Sequence, residues 1–313
     1  MIDYSIYYRE KHSTLESLSD FYQWDYYVSA FRSDERVERL FANINAHRKD
    51  WLIFPEYKYS KDEYPKTKTE EDVIELSGKT ESEIINPYVK KLMADIKDKT
   101  ICIDITGFIR PHLMCFLKCL KREGINKFDI IYVEPGWYIK RELTKFSYKV
   151  LDVRLVHGYE GIQKLDNKDD LLIIGSGYDD QLIAAVANKK SSVRNKIQIF
   201  GLPALSPAFY QENRLCAHKA EDVKDGESYF APAYDPFATA ETISSIVKQK
   251  KPTNLYLCPL ATKPQVLGFA LYYLLERENT ATSIIHPFYE SYSKETSEKI
   301  GRIWKYRIEF PKV

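Results

Sequence analysis

TICIDITGFIRPHLMCFLKCLKREGINKFDIIYV, residues 100–133, decides the fold. It opens on Thr100–Ile105, which reads as a strand of the buried type, covered on both faces. Pro111–Arg122 follows, with Leu113, Phe116, Leu117 and Leu120 at helical spacing and a proline suited to the first turn. Phe128–Val133 reads as a second strand. Strand, helix and strand in this order make a βαβ unit with parallel strands.

The same rhythm extends in both directions. Upstream, Asp25–Phe31 reads as a strand, and Ser33 as the cap of a helix with Val37, Leu40, Phe41 and Ile44 inward. Trp51–Phe54 is a short strand, the loop Pro55–Thr80 shows no period, and Ile85, Tyr88, Val89, Leu92 and Ile96 mark another helix. Downstream, strands are expected at Val150–Val156, Leu171–Ile174, Ile197–Phe200, Ser228–Ala231, Leu255–Cys258 and Ser283–His286. Helices are expected near Asp180–Asn188, Thr239–Gln249 and Pro264–Arg277. Arg302–Phe310 alternates like an edge strand, and residues 1–24 form a polar, tyrosine-rich leader. The expected class is α/β: Rossmann-like, with a mostly parallel, doubly wound sheet open to division into two pseudo-repeated halves. Tyr138–Leu151 breaks the rhythm, which sets an N-terminal half at 1–140 and a C-terminal half at 151–313.

The chain of 313 residues is 44% hydrophobic and 29% charged, ordinary for a globular protein. Its 46 basic and 45 acidic residues give a net charge of +1, so no bulk field favours nucleic acid or a membrane. No apolar run is long enough to span a bilayer, and the first residues lack the apolar core of a secretory signal. Five cysteines do not form a disulfide framework. A cytoplasmic setting is expected.

In a doubly wound sheet ligands sit beyond the carboxyl ends of the strands. Two junctions there echo each other: Asp104-Ile105-Thr106-Gly107-Phe108-Ile109-Arg110-Pro111 and Pro259-Leu260-Ala261-Thr262-Lys263-Pro264. Each runs from an apolar strand through a threonine and a basic residue to a proline. A cation at a helix N-terminus opposes the macrodipole, at a cost of about 0.3–1 kcal/mol, unless an anion binds there too. A phosphate-bearing ligand is one resolution; pairing with a nearby carboxylate is the other. A third junction, Gly175-Ser176-Gly177-Tyr178-Asp179-Asp180, carries a GxG that would let backbone approach a phosphate, without the third glycine of the dinucleotide fingerprint. Asp179 and Asp180 cap a helix, meet ribose hydroxyls or hold magnesium. Arg32 and Arg36, after the first strand, are positioned for the same ligand edge.

The Asp104–Met114 segment resembles the Thr-Gly-Gly-Thr-Lys loop and following helix of CARF domains, the CRISPR-associated Rossmann-fold sensors. Phe108 and Ile109 stand where that loop has glycine and threonine, and Arg110 stands for its lysine. Leu255 to Ile285 is similar to the corresponding unit of a SAVED domain, in which two CARF-like units are fused. The resemblance implies loop contact with the phosphates of a cyclic oligonucleotide.

Other constellations point less far. Glu56, Asp104, Glu134 and Asp235 stand at strand ends. With Asp179, they are the candidates for acid/base or metal-assisted chemistry if they converge. His112, Cys115 and Cys119 share a helix face with Phe116 and Leu120, a pattern of buried thiols without zinc spacing. Cys216 and His218 have no third partner. No GxSxG elbow and no GxxxxGK[ST] loop occurs. No metal or cofactor is expected.

The expected function is a nucleotide-binding sensor in a defence-type signalling system, using Thr106, Gly107, Arg110, Gly175, Gly177, Thr262, Lys263 and Arg32. It would pass a conformational change to a protein partner. The rival is an enzyme acting on a nucleotide or sugar phosphate. A third reading is a protein-interaction subunit that uses the tyrosine clusters.

Overall fold

A computed structural model describes residues 2–66, 72–96, 98–138, 147–220, 223, 226–294 and 296–311. The chain first builds β1 (Arg9–His12), α1 (Glu16–Ser19), β2 (Trp24–Ala30), α2 (Glu35–Asn43), β3 (Ala46–Ile53), β4 (Val73–Glu75), α3 (Glu81–Asp95), β5 (Ile101–Asp104), α4 (Arg110–Arg122) and β6 (Lys127–Tyr138). It continues with β7 (Ser147–Leu155), β8 (Leu171–Gly175), α5 (Asp180–Lys189), β9 (Asn195–Gly201), α6 (Pro207–Lys219), β10 (Glu227–Ala231), α7 (Pro236–Lys250), β11 (Leu255–Pro259), α8 (Lys263–Tyr272), β12 (Thr282–Tyr292) and β13 (Ser297–Glu309). A π-helical turn, Tyr273–Arg277, extends α8.

Two compact units result. One contains residues 7–139 and 291–313; the other contains residues 1–6 and 140–290. The last strand thus returns to the N-terminal unit instead of staying with residues 151–290. Part of the expected boundary, 139–146, lies outside the described residues.

In the first unit the sheet order is β1-β13-β6-β5-β2-β3-β4. Strands β6, β5, β2, β3 and β4 pair in parallel, whereas β13 is antiparallel to both β6 and β1. The alternating segment Arg302–Phe310 is therefore an interior strand and not an edge. Its outer side is taken by β1, whose polar sequence REKH carries no strand signal. Helix α2 lays Leu40 and Ile44 against Tyr27, Cys102, Ile131, Val133 and Ile303 of the sheet. Its cap is Asp34 rather than Ser33, because the Asp34 side chain accepts from the Arg36 N–H. Trp51 of β3 stacks on Phe41 of α2 at 3.7 Å between centroids.

The second unit has the order β10-β9-β8-β11-β12-β7, with β10, β9, β8, β11 and β12 all parallel. The five parallel strands follow one order in both units. The first strand is central, the second and third lie to one side, and the fourth and fifth to the other. That is the Rossmann-like order 3-2-1-4-5, and its switch point lies between the first and fourth strands. Helix α6 has no counterpart among the expected elements. Its buried residues Phe209, Asn213, Cys216 and Ala217 do fall at helical spacing, but a polar Asn213 interrupts the apolar stripe. Among the described residues no helix is long and apolar enough to cross a membrane.

Candidate functional site

The two echoing junctions fall at the same topological place in their units. Arg110 follows β5 and opens α4; Lys263 follows β11 and opens α8. Strands β5 and β11 are each the fourth of the parallel set, next to the central first strands β2 and β8. Both helices have proline in their first turn and no acidic residue there, so their own sequence does not offset the cation. Arg110 and Lys263 are each half-buried.

The remaining loop residues are engaged by the fold. In the first unit, Thr106 is buried and its Oγ1 accepts from the Val133 N–H at 3.0 Å. Gly107 presses against β2: a Cβ added there would lie 2.0 Å from the Ala30 carbonyl oxygen. The Tyr57 hydroxyl donates to the Gly107 carbonyl at 3.0 Å. Arg32 is buried, and its Nε donates to the Lys294 carbonyl at 2.9 Å while Nη2 donates to Thr296 Oγ1. The segment before β13 therefore sits on the guanidinium expected to face a ligand. Arg36 donates to Asp34, to Ser297 Oγ and to the Val133 carbonyl.

The second unit repeats this economy. A Cβ on Gly177 would lie 2.2 Å from the Leu260 carbonyl oxygen, and one on Gly175 would lie 2.9 Å from the Phe269 ring. Both glycines are thus required by loop–loop and loop–helix approach, whatever else binds there. The Asn213 amide of α6 donates to the Ser176 and Gly177 carbonyls at 2.9 and 2.7 Å. Asn213 went unnoticed in the sequence because only the fold brings α6 to this loop. Thr262 caps α8 by accepting from the Gln265 N–H, and its hydroxyl donates to the Ala233 carbonyl.

Within each unit the strand-end carboxylates are taken up separately. Asp235 caps α7 through the Phe237 and Ala238 N–H groups at 3.0 and 3.1 Å, and Asp179 caps α5 through the Leu182 N–H. Glu134 accepts from Arg302 Nε and Trp304 Nε1, both at 2.7 Å; burial pushes its carboxyl up despite these donors. Glu56 meets His112 Nε2 at 3.0 Å. Cys115 and Cys119 are buried, and the Cys119 thiol donates to Asn86 Oδ1 at 2.9 Å. Among the described residues no group of three or more His, Cys, Asp or Glu is placed to hold a metal ion.

Asp104 is fully buried and accepts from the Ser29 hydroxyl at 2.9 Å and the Thr106 N–H at 2.8 Å. Burial raises its pKa, and these hydrogen bonds oppose the rise only in part. A raised folded-state pKa means that its stabilising contribution is complete below the unfolded value and is lost as pH rises through the folded one. Asp104→Asn is accordingly expected to leave stability unchanged or raise it by about 1 kcal/mol at pH 8, measured by urea unfolding. A loss of several kcal/mol at that pH would contradict the assignment of Asp104 as a costly buried anion.

A ligand-sized cavity in the unit of residues 1–6 and 140–290 lies away from the carboxyl ends of the strands. It measures about 530 Å³ and is flanked by Tyr256 near the start of β11, Ser283 near the start of β12, and Lys190 just beyond α5. Compared with known proteins, the chain matches no family model and no curated protein sequence.

Proposed function

We propose that this chain is a nucleotide-binding sensor built from two repeats of one Rossmann-like half, and that its ligand carries phosphate. The observation that carries the reading is the recurrence of a threonine, a basic residue and a proline after the fourth parallel strand of both units. Ligands of doubly wound sheets gather at that point, and a helix N-terminus there supplies free N–H groups for an anion. Arg110 and Lys263 are the primary phosphate ligands in their respective units. The CARF and SAVED resemblance extends the ligand class to cyclic oligonucleotides. Strand-end carboxylates occupied as caps and buried acceptors favour a sensor over an enzyme, and its output is a conformational change read by a partner protein.

Calorimetry with a panel of linear and cyclic nucleotides tests this. Arg110→Ala and Lys263→Ala should each weaken binding roughly tenfold to a hundredfold, the worth of one charge-assisted hydrogen bond, without lowering the melting temperature. Unchanged affinity in both variants removes the proposal. Conversion of the nucleotide, seen by mass spectrometry with and without magnesium, supports the enzyme instead.

A further inference from the structure

The cavity at the amino ends of β11 and β12 has a lysine in its wall that meets no acceptor among the described residues, Lys190. Its Nζ lies 3.5 Å from the centroid of the Tyr256 ring, and no acceptor or carboxylate of the described residues meets it. A cation on a ring face keeps N–H groups directed away from the ring, and these must be solvated or bound. Ser283 supports the same wall from within, fully buried. Its Oγ accepts from the Gly161 N–H and from Gln163 Nε2, each at 3.0 Å.

The surroundings select the complement. The Tyr256 hydroxyl donates to Gln163 Oε1, which fixes the ring and holds the Gln163 amide so that its Nε2 points at Ser283. Both carboxylates of the lining are engaged: Asp152 meets Lys189 at 3.2 Å, and Glu160 accepts from the Gly158 N–H at 2.8 Å. Val153, Leu155 and Ile285 supply apolar wall. Burial lowers the pKa of Lys190, and the Asp170 charge, which makes no direct contact with it, opposes only in part.

The geometry points to a binding site here for a small organic oxyanion, its carboxylate or phosphate head on Lys190 and its apolar body on Val153, Leu155 and Ile285. The site is independent of the switch-point reading, because Lys263 opens α8 beyond the carboxyl end of β11 whereas Tyr256 stands near that strand's amino end.

Titration of the full chain with benzoate, phenyl phosphate and the neutral benzyl alcohol, followed by calorimetry, tests it. At least one anionic probe should bind more than tenfold tighter than benzyl alcohol, and the better of the two identifies the head group. Lys190→Met, which keeps the aliphatic stem, should abolish that preference while melting as the parent does. Lys263→Ala should leave it intact. Equal binding of benzyl alcohol in the parent, a preference that survives Lys190→Met, or no binding of either anion up to about 10 mM would each overturn the assignment. The comparison of probes on the parent protein stands even if the variant fails to fold.

Discussion

Gly107→Ala is expected to destabilise the unit of residues 7–139 and 291–313 by about 3 kcal/mol or more, since a methyl group there overlaps a neighbouring strand and neither side can yield cheaply. The added Cβ would stand 2.0 Å from the Ala30 carbonyl oxygen, a backbone atom held in the parallel ladder between β2 and β3. Gly177→Ala should behave alike in the other unit, where the obstacle is the Leu260 carbonyl oxygen at 2.2 Å. Gly124→Ala supplies the contrast. Nothing lies within 4 Å of its Cβ position, but φ is +82°, so its cost is the conformational one alone, about 1 kcal/mol. Urea unfolding of the three variants separates the cases. A glycine kept only to admit a phosphate would lose ligand and keep its fold. A Gly107→Ala protein with the parent's unfolding midpoint would therefore refute the packing account.

The second large effect belongs to Asp34. Its carboxylate caps α2, receives Arg36 Nε and Nη2 at 3.1 and 2.9 Å, and accepts from Ser297 Oγ at 3.0 Å, with both charged side chains almost fully buried. Asp34→Asn removes the carboxylate charge that faces the buried Arg36 guanidinium and should cost about 3–5 kcal/mol. The double variant Asp34→Asn/Arg36→Met should recover part of that loss. Absence of any recovery would show that the two charges are not coupled. Burial alone would raise the Asp34 pKa, but the adjacent Arg36 and its hydrogen bonds outweigh burial and hold the carboxyl below its usual range. Its stabilisation is therefore complete above the unfolded value of about 3.9 and fades as pH falls through the lower folded value. Acid unfolding of Asp34→Asn should lack that component.

The two loop glycines were informative by residue type and not by role, and Asp34 was passed over for Ser33 as the cap of α2. Gly107 and Gly177 stood out in the sequence as loop glycines after strands, and the structure puts both at switch points. A glycine that admits a ligand and one that admits a neighbouring carbonyl look the same along the chain. Arg32 is comparable: it follows β2 as expected, yet its guanidinium is taken by Lys294 and Thr296, some 260 positions later. Lys190 is the converse. It ends a helix in a polar stretch and gave no signal, because its partner ring comes from β11 and the neighbouring Ser283 from β12.

The apolar runs and the helical spacing between them determined, by themselves, most of the strands and helices and the parallel course of strands joined through a helix. Side-chain period and backbone sterics set such elements locally, whereas the polar β1, α6 with its interrupted stripe and the antiparallel course of β13 escaped that reading. Tertiary structure alone decided the shared strand order, the return of β13 to an interior position between β1 and β6, and which carboxylates became caps. It also decided where an uncommitted donor remains. Each of these depends on contacts between distant segments, and burial turns a polar side chain into a cap, a filler or a site only once its neighbours are in place.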